Sequence, residues 1–222
     1  MILRCMSFID NIKFGNLTLK DKEKTLVKDE ISARLVDLGL YDRLFDMPPP
    51  SNVSSQTKHE LSQLVKITSK VSEATLEFCQ NAENDLVKVF VDFLYRYNIT
   101  DTTKQDLDRV LDETEPLLYR LKEYYNRPRP NQLAVYYDLD LYVMIETKAT
   151  NHPAYPSGHS YESYIMASLL SQKYPKHKEK LMKLAESIGL SRILIGVHYK
   201  SDHEFGCYLG KLLIDNDLIA LK

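Results

Sequence analysis

Residues 156–170 read Pro-Ser-Gly-His-Ser-Tyr-Glu-Ser-Tyr-Ile-Met-Ala-Ser-Leu-Leu, a turn followed directly by an apolar run. The proline cannot continue a preceding helix, and the serine after it is a favoured helix N-cap. The stretch therefore predicts a helix that begins at about Gly158 and ends near residue 174. The exposed N–H groups at such a helix start can also cradle an anion. Taken alone, this turn supports a capped helix and an anion site equally.

The composition of the whole chain favours an all-α fold. Only 7 of the 222 residues are glycine, helix-forming residues are abundant, and 44% of the residues are hydrophobic. A chain of this length can bury a core without a disulfide or a structural metal. The net charge of −2 excludes a protein that binds nucleic acid through a strong overall positive charge.

The cysteines and the hydropathy pattern bear on the compartment. The chain has 3 widely separated cysteines and no Cys-x-x-Cys pair, which favours a reducing environment. The sequence shows neither a secretory signal pattern nor an apolar stretch of about 18 residues. We therefore expect a cytoplasmic protein with no membrane span.

Apolar residues at helical spacing predict the other elements. One amphipathic helix is expected within residues 20–40, and an extended connector at Met47-Pro48-Pro49-Pro50. Further helices are predicted from about Thr57 through Phe78, over 83–97, from Thr103 to a break at Pro116, over 115–126, over 177–197 with a break near Gly189, and over 203–215. Residues 127–156 are predicted to be mostly loop, and the part from Leu133 to Ile145 fits a strand or a short helix equally well.

Two more motifs flank the opening stretch. Lys122 is followed after six residues by Arg129-Pro130, and Ser191-Arg192 is followed by His198 and, four residues later, Asp202. Each motif has a structural interpretation: a basic helix end, or a buried histidine beside a helix N-cap. The second also fits a catalytic histidine, because a carboxylate on one imidazole nitrogen fixes the tautomer and orientation of the ring. Together the three motifs specify eleven positions in one order, which chance rarely supplies.

In these residues the chain resembles the type 2 phosphatidic acid phosphatase superfamily, which includes bacterial class A acid phosphatases and vanadium haloperoxidases. The class A pattern is Lys-x6-Arg-Pro, then Pro-Ser-Gly-His, then Ser-Arg-x5-His-x3-Asp, and every fixed position is present. The resemblance covers residues 47–222 and implies a single-domain helical bundle. Residues 1–46 are predicted to be a helical extension of unknown role. Tyr199 departs from the pattern, since relatives often carry tryptophan there.

The resemblance also implies a mechanism. His198 would be the nucleophile that forms a phosphohistidine, Asp202 would hold its second nitrogen, and His159 would act as general acid and then base. The phosphate would be bound by the following residues: Lys122, Arg129, Ser157, Gly158 and Arg192. Arg127-Pro128 is a second Arg-Pro pair, so the contact of Arg127 or Arg129 with phosphate stays open. His152 and His203 adjoin the motifs and are further candidates for the pocket wall.

The resulting prediction is an all-α phosphomonoesterase that acts on a small-molecule phosphomonoester. No metal and no other cofactor are expected, since three fixed cations supply the charge that a metal would supply. Transfer of phosphate to alcohols and homo-oligomerisation are left open. Two alternatives remain: a vanadium-dependent haloperoxidase, and a non-catalytic binding protein that keeps the fold.

Overall fold

α-Helices form the framework of residues 7–221, the part of the chain that the computed structural model describes, and no β-strand occurs within that range. Cys5 lies outside it. After a helical turn at residues 7–10, the α-helices are α1 Leu19–Leu26, α2 Glu30–Asp37, α3 Tyr41–Phe45, α4 Ser55–Thr68, α5 Glu73–Asn84, α6 Leu86–Arg96, α7 Lys104–Tyr125, α8 Pro130–Ala134, α9 Gly158–Lys173, α10 Lys178–Leu194 and α11 Lys200–Asp215. Short 3-10 helices cover Val135–Tyr137, Lys148–Asn151 and Pro175–His177. The predicted all-α class is confirmed.

Two segments expected to be single helices are divided by side-chain caps. The segment within residues 20–40 splits into α1 and α2 because the Asp29 side chain accepts from the Ser32 N–H and starts a new helix. Ser72 does the same for Thr75, so the helix expected from Thr57 onward becomes α4 and α5. Polar N-caps of this kind break the helix while the apolar residues on either side keep their helical spacing, so the spacing alone does not reveal the break.

The prediction of a helix break at Pro116 was wrong, because α7 runs through it from Lys104 to Tyr125. A proline inside a helix removes one backbone hydrogen bond and costs about 3 kcal/mol. Leu117, Leu118 and Leu121 follow it and are buried in the central hydrophobic cluster. Burying several such side chains stabilises the helix by about 1.5–3 kcal/mol each, which outweighs the proline.

Other expectations were closer to the structure. The helix predicted over 177–197 is α10, which passes Gly189 without a break. The undecided stretch from Leu133 begins as the end of α8 and a 3-10 turn and continues without regular structure to residue 147. Pro130 occupies the first position of α8, where its missing N–H is tolerated.

The central layer is α9, which packs against both α10 and α11. Tyr161, Ile165 and Leu169 of α9 enter the central hydrophobic cluster with residues of α2, α3, α7 and α11. The starts of α9 and α11 lie side by side, since the Ser157 N–H donates to the Asp202 carbonyl at 3.1 Å. Two of the three sequence motifs therefore meet at one end of the bundle.

No helix within residues 7–221 is both apolar enough and long enough to cross a membrane.

The N-terminal helices pack on α7 and are fastened to it by Arg120. Its guanidinium donates to the Thr25 carbonyl at 3.0 Å, the Val27 carbonyl, the Ser32 hydroxyl at 2.5 Å and the Asp29 carboxylate at 2.7 Å. The boundary predicted after residue 46 stays a prediction. The helices before it contribute to the same hydrophobic cluster as α7.

We predict that Arg120→Leu loosens α1 and α2 from α7. Hydrogen bonds to a charged group contribute about 1.5–3 kcal/mol each, so amides in residues 19–37 should exchange at least about tenfold faster. Hydrogen exchange measured by mass spectrometry checks this. Arg109→Leu is the matched control, because Arg109 is an exposed arginine on the same helix. Equal exchange in both variants would contradict the assigned role of Arg120.

Candidate active site

The eight residues predicted for the site come from five places in the fold that converge at one end of the bundle. Lys122 is in the last turn of α7, and Arg129 directly precedes α8. The remaining residues surround the starts of α9 and α11 and the end of α10: Ser157, Gly158, His159, Arg192, His198 and Asp202. These places are far apart in the sequence, so the packing of the helices brings the site residues together.

His198 is held between a carboxylate and a guanidinium. Its Nδ1 lies 3.0 Å from Oδ2 of Asp202, and its Nε2 lies 2.9 Å from Nη1 of Arg129. A guanidinium can only donate, so we assign the lone pair to Nε2 and the proton to Nδ1. Burial and the nearby charges of Arg129, Lys122 and Arg192 lower the pKa of His198 well below its usual range. The ring is therefore neutral, and the lone pair of Nε2 faces the cationic cluster.

Arg127 lies on the far side of Asp202 from His198. It donates from Nη1 to Oδ1 of Asp202 at 2.5 Å and to the Ser201 hydroxyl at 2.8 Å, and its guanidinium stacks 3.8 Å above the Tyr199 ring. Burial raises the pKa of Asp202, and Arg127 opposes that shift. Tyr199 supplies the aromatic face for this cation. Arg127 thus supports Asp202, whereas Arg129 contacts His198.

Arg129 is fully enclosed, with its side chain fixed by carbonyls. Nε donates to the His152 carbonyl at 2.7 Å, and Nη1 donates to the Val197 carbonyl at 2.8 Å. Burial lowers the pKa of Arg129 to about 9, an unusually low value for arginine. Among the described residues, no carboxylate lies within 4.0 Å of the Arg129 guanidinium to neutralise its charge.

Lys122 is the second cation without a carboxylate partner among the residues described. Its Nζ donates to the Pro153 carbonyl at 3.0 Å and the Pro156 carbonyl at 2.6 Å. Burial, and then the charge of Arg129, lower the pKa of Lys122 to about 7. An anion bound beside it would raise that pKa, because the charged form would gain a counter-ion.

Arg192 has a carboxylate partner that sequence reasoning missed, Glu83 in the last turn of α5. Nη2 of Arg192 donates to the Glu83 carboxylate at 2.5 Å and to the Thr147 hydroxyl at 3.3 Å. Nε and Nη1 of Arg192 are buried and have no acceptor among the described residues, which leaves two donors for a ligand. The helix dipole disfavours an acidic side chain at a helix C-terminus. The position of Glu83 in the last turn of α5 is therefore the one sequence feature from which a neighbouring cation could have been inferred.

The turn at Ser157 and His159 completes this end of the bundle. A Cβ on Gly206 of α11 would approach the Ser157 carbonyl to 2.6 Å, so only glycine lets the two helix starts come this close. His159 Nε2 lies 3.3 Å from the Ala82 carbonyl and 4.0 Å from Glu83. Burial and Arg192 lower the pKa of His159 well below its usual range.

Two further groups at the wall were not predicted from the sequence. Glu162 is a partly buried carboxyl one turn after Gly158, and burial raises its pKa to about 7. From α1, the Asp21 carboxylate lies 3.1 Å from Nδ1 of His152, whose carbonyl receives Arg129. The N-terminal segment therefore reaches the wall of the site, although no motif marks it.

In chemical terms, the cluster combines buried cations, unpartnered N–H donors, a helix N-terminus and a neutral imidazole. Such a set suits a compact anion with several oxygens, because guanidinium groups bind two oxygens at once and helix N-termini stabilise negative charge. Residues 114–214, which contain all eight predicted site residues, match the PAP2 superfamily. The matched segment is just under half of the chain.

Relatives of the PAP2 segment carry related names. The chain is 27% identical over 172 residues to a non-specific acid phosphatase of Providencia stuartii, covering 72% of this chain and 68% of that protein. It is 33% identical over 89 residues to a non-specific acid phosphatase of Salmonella typhi, covering 40% of this chain and 35% of that protein. It therefore spans only about a third of the Salmonella typhi protein.

One solved structure is also similar. It is the crystal structure of a transmembrane PAP2 type phosphatidylglycerolphosphate phosphatase from Bacillus subtilis. The TM-score is 0.37 at 20% identity, and the overlap covers 85% of this chain and 90% of that one.

We predict that the affinity for sulfate falls as the pH rises above 7. Lys122 is charged below its pKa of about 7, so above that pH sulfate must bind together with a proton. The cost is about 1.4 kcal/mol per pH unit, equivalent to about a tenfold weaker affinity per unit. Sulfate keeps its charge over this range, so titration calorimetry from pH 6 to pH 8.5 reports on the protein.

Lys122→Met should bind sulfate weakly and lose the part of this slope that Lys122 supplies. Glu162 and His159 contribute with the same sign, because ionised Glu162 would repel sulfate and a bound dianion would draw a proton onto His159. Glu162→Gln and His159→Ala measure those two contributions. An unchanged slope in Lys122→Met would contradict the assignment to Lys122.

Proposed function

We propose that this chain hydrolyses phosphate monoesters and that the phosphoryl group passes through His198. The family and the names of the relatives agree on the coarse class, a phosphoric monoester hydrolase. The observation that supports the finer mechanism is the position of His198: Nδ1 faces Asp202 at 3.0 Å, and Nε2 faces Arg129 at 2.9 Å. A neutral ring with a fixed lone pair among buried cations suits attack on a phosphorus atom.

The phosphate would lie among the cations and the start of α9. Lys122, Arg129 and Arg192 would offset the negative charge that its equatorial oxygens carry in the transition state. The Ser157 hydroxyl and the Gly158 N–H would add neutral donors at a helix N-terminus. To bind there, the phosphate would accept from the unpartnered Nε and Nη1 of Arg192.

In the first step, Nε2 of His198 forms a bond to phosphorus while the bond from phosphorus to the ester oxygen breaks. His159 donates a proton to that oxygen, so the alcohol leaves neutral. Asp202 stabilises the charge that develops on the imidazole of His198. In the second step, His159 takes a proton from water, the water oxygen attacks phosphorus, and the bond to Nε2 breaks. Inorganic phosphate is released, and an alcohol in place of water would give a new ester.

The low pKa of His159 fits this sequence of steps. Burial lowers it most, and the charges of Arg192, Lys122 and Arg129 lower it further in the absence of a counter-charge. A phosphate dianion among these cations would raise the pKa again, so substrate binding would protonate His159. The general acid would then be charged only when an ester is bound.

In this scheme the substrate would approach beside Glu83. A cavity of about 420 Å³ is lined by residues that include Glu83, Thr147, Lys148 and Asn151, and Arg192 donates to the first two. The cavity wall is polar, which suits a small hydrophilic alcohol as the leaving group.

We predict turnover of phosphomonoesters in the presence of EDTA, and its loss in His198→Ala. A radiolabelled ester should leave label on wild-type protein that is quenched in alkaline denaturant. The label should be acid-labile and base-stable, as is typical of phosphohistidine, and should be absent from His198→Ala. His59→Ala is the matched control, because His59 is exposed on α4. Turnover by His198→Ala at the wild-type rate would exclude the proposed nucleophile.

His159→Ala should slow esters of poor leaving groups far more than esters of good ones. A single proton-transfer group contributes about 10²–10⁴-fold, and activated aryl esters need little help from an acid. The kcat for an alkyl phosphate should fall by about that factor, while the kcat for 4-nitrophenyl phosphate should fall much less. Equal losses for both esters would contradict the role of His159 as acid.

A further inference from the structure

Behind the start of α9, a chain of hydrogen bonds leads from Ser157 away from the phosphate cradle. The Ser160 hydroxyl donates to the Ser157 hydroxyl over 2.9 Å. The same Ser160 oxygen lies 2.9 Å from Nδ1 of His203 on α11. Ser157 and Ser160 are buried, whereas His203 is partly exposed.

The number of protons fixes the direction of this chain. Oγ of Ser157 also accepts from the Ser160 N–H at 3.5 Å, so both of its lone pairs are occupied and its own proton must go to a third partner. Ser160 has one proton, and it can reach Ser157 only when Nδ1 of His203 is the donor in the other contact. If Nδ1 carried a lone pair instead, Ser160 would donate to His203 and the chain would reverse.

The ring proton of His203 lies on Nδ1, because the only proton of the Ser160 hydroxyl goes to Ser157. Burial lowers the pKa of His203, so the ring carries a single proton. Sγ of Cys207 lies 3.9 Å from both ring nitrogens, and burial raises the pKa of this thiol to about 11, so it stays protonated. The thiol is equally far from both nitrogens and fits either tautomer, so it can donate to the lone pair that Nε2 keeps while Nδ1 donates to Ser160.

The position of the ring is set by the helix beside it. A Cβ on Gly189 of α10 would lie 2.6 Å from Cε1 and 2.7 Å from Nδ1 of His203, so the ring rests directly on the backbone of α10. On the other side is a cavity of about 950 Å³ whose lining includes Ser160, His203 and Cys207. Solvent thus reaches the ring by a route separate from the cavity beside Glu83.

We infer that His203 and Ser160 are positioning residues that direct the hydroxyl proton of Ser157 toward the phosphate. This inference rests on the proposed function, because it takes the third partner of Ser157 to be the bound anion. His203 touches neither the substrate nor His198 in this scheme. Through Ser160, it leaves the Ser157 hydroxyl free to donate to the phosphate, which adds one donor to the cradle.

The experiment measures the dissociation constant for inorganic phosphate by titration calorimetry at fixed pH. His203→Leu removes the donor, and Ser160→Ala interrupts the chain without adding volume. Each should weaken phosphate binding by about tenfold or more, the factor expected for one hydrogen bond to a charged acceptor. His203→Asn keeps an N–H near the position of Nδ1 and should stay within about threefold of wild type. His59→Leu is the matched control at an exposed histidine.

A double-mutant cycle separates this role from a structural one. In a Ser157→Ala background, His203→Leu should have no further effect on phosphate affinity, because its effect passes through the missing hydroxyl. Urea denaturation of each variant confirms that it is folded. Wild-type protein that binds no phosphate would overturn the proposed function itself.

Other outcomes bear on the inference alone. If wild type binds phosphate and Ser160→Ala binds it equally well, the positioning role is wrong. If His203→Asn binds phosphate as weakly as His203→Leu does, then His203 supplies packing and not a hydrogen-bond donor.

Discussion

The site is assembled around one buried carboxylate, that of Asp202. One oxygen receives Arg127, the other receives both Nδ1 of His198 and the Tyr199 N–H, and the backbone carbonyl of the residue receives Ser157. A buried ion that loses one partner typically costs about 3–5 kcal/mol, so these contacts depend on one another. The loop before α8, the turn before α9 and the start of α11 are therefore positioned by a single residue, the first and last through its carboxylate and the turn through its backbone carbonyl.

The distribution of charge around this carboxylate is uneven. Arg127 pairs with Asp202 and lies 3.5 Å from Glu60, and Arg192 pairs with Glu83. Neither Lys122 nor Arg129 contacts a carboxylate among the described residues, and burial lowers the pKa of each, to about 7 and about 9. The folded protein thus carries two enclosed cations that an anion would stabilise. A structural core would not require this arrangement, whereas a binding site for anions does.

The sequence predicted the parts of this arrangement that depend on local signals. The Pro-Ser turn predicted the start of α9, and the spacing of the motifs predicted which residues would meet. Pro116 was misjudged because the penalty for proline is local, while the burial of Leu117, Leu118 and Leu121 that offsets it depends on the whole bundle. The roles of Arg127 and Arg129 could not be separated, since two arginines two residues apart differ only in which loop contacts enclose them.

Glu83 and His203 show a second limit. Glu83 meets Arg192 over a separation of 109 residues, and His203 meets Ser160 over 43. Neither pair has a fixed spacing that a motif could express, because helix packing alone brings them together. The weak local signal at Glu83, an acid at a helix C-terminus, indicates that a partner exists but not which residue it is.

The contact of Asp21 with His152 constrains the evolution of the sequence. These residues lie in α1 and in the loop that holds Arg129, more than a hundred positions apart, yet 3.1 Å separates their side-chain atoms. Burial lowers the pKa of His152 to about 4, while Asp21 opposes that shift. A substitution at either position alters the environment of the other, so the two should covary. We expect amino-acid substitutions in the N-terminal segment, which matches no motif, to be correlated with substitutions in the loop around Arg129.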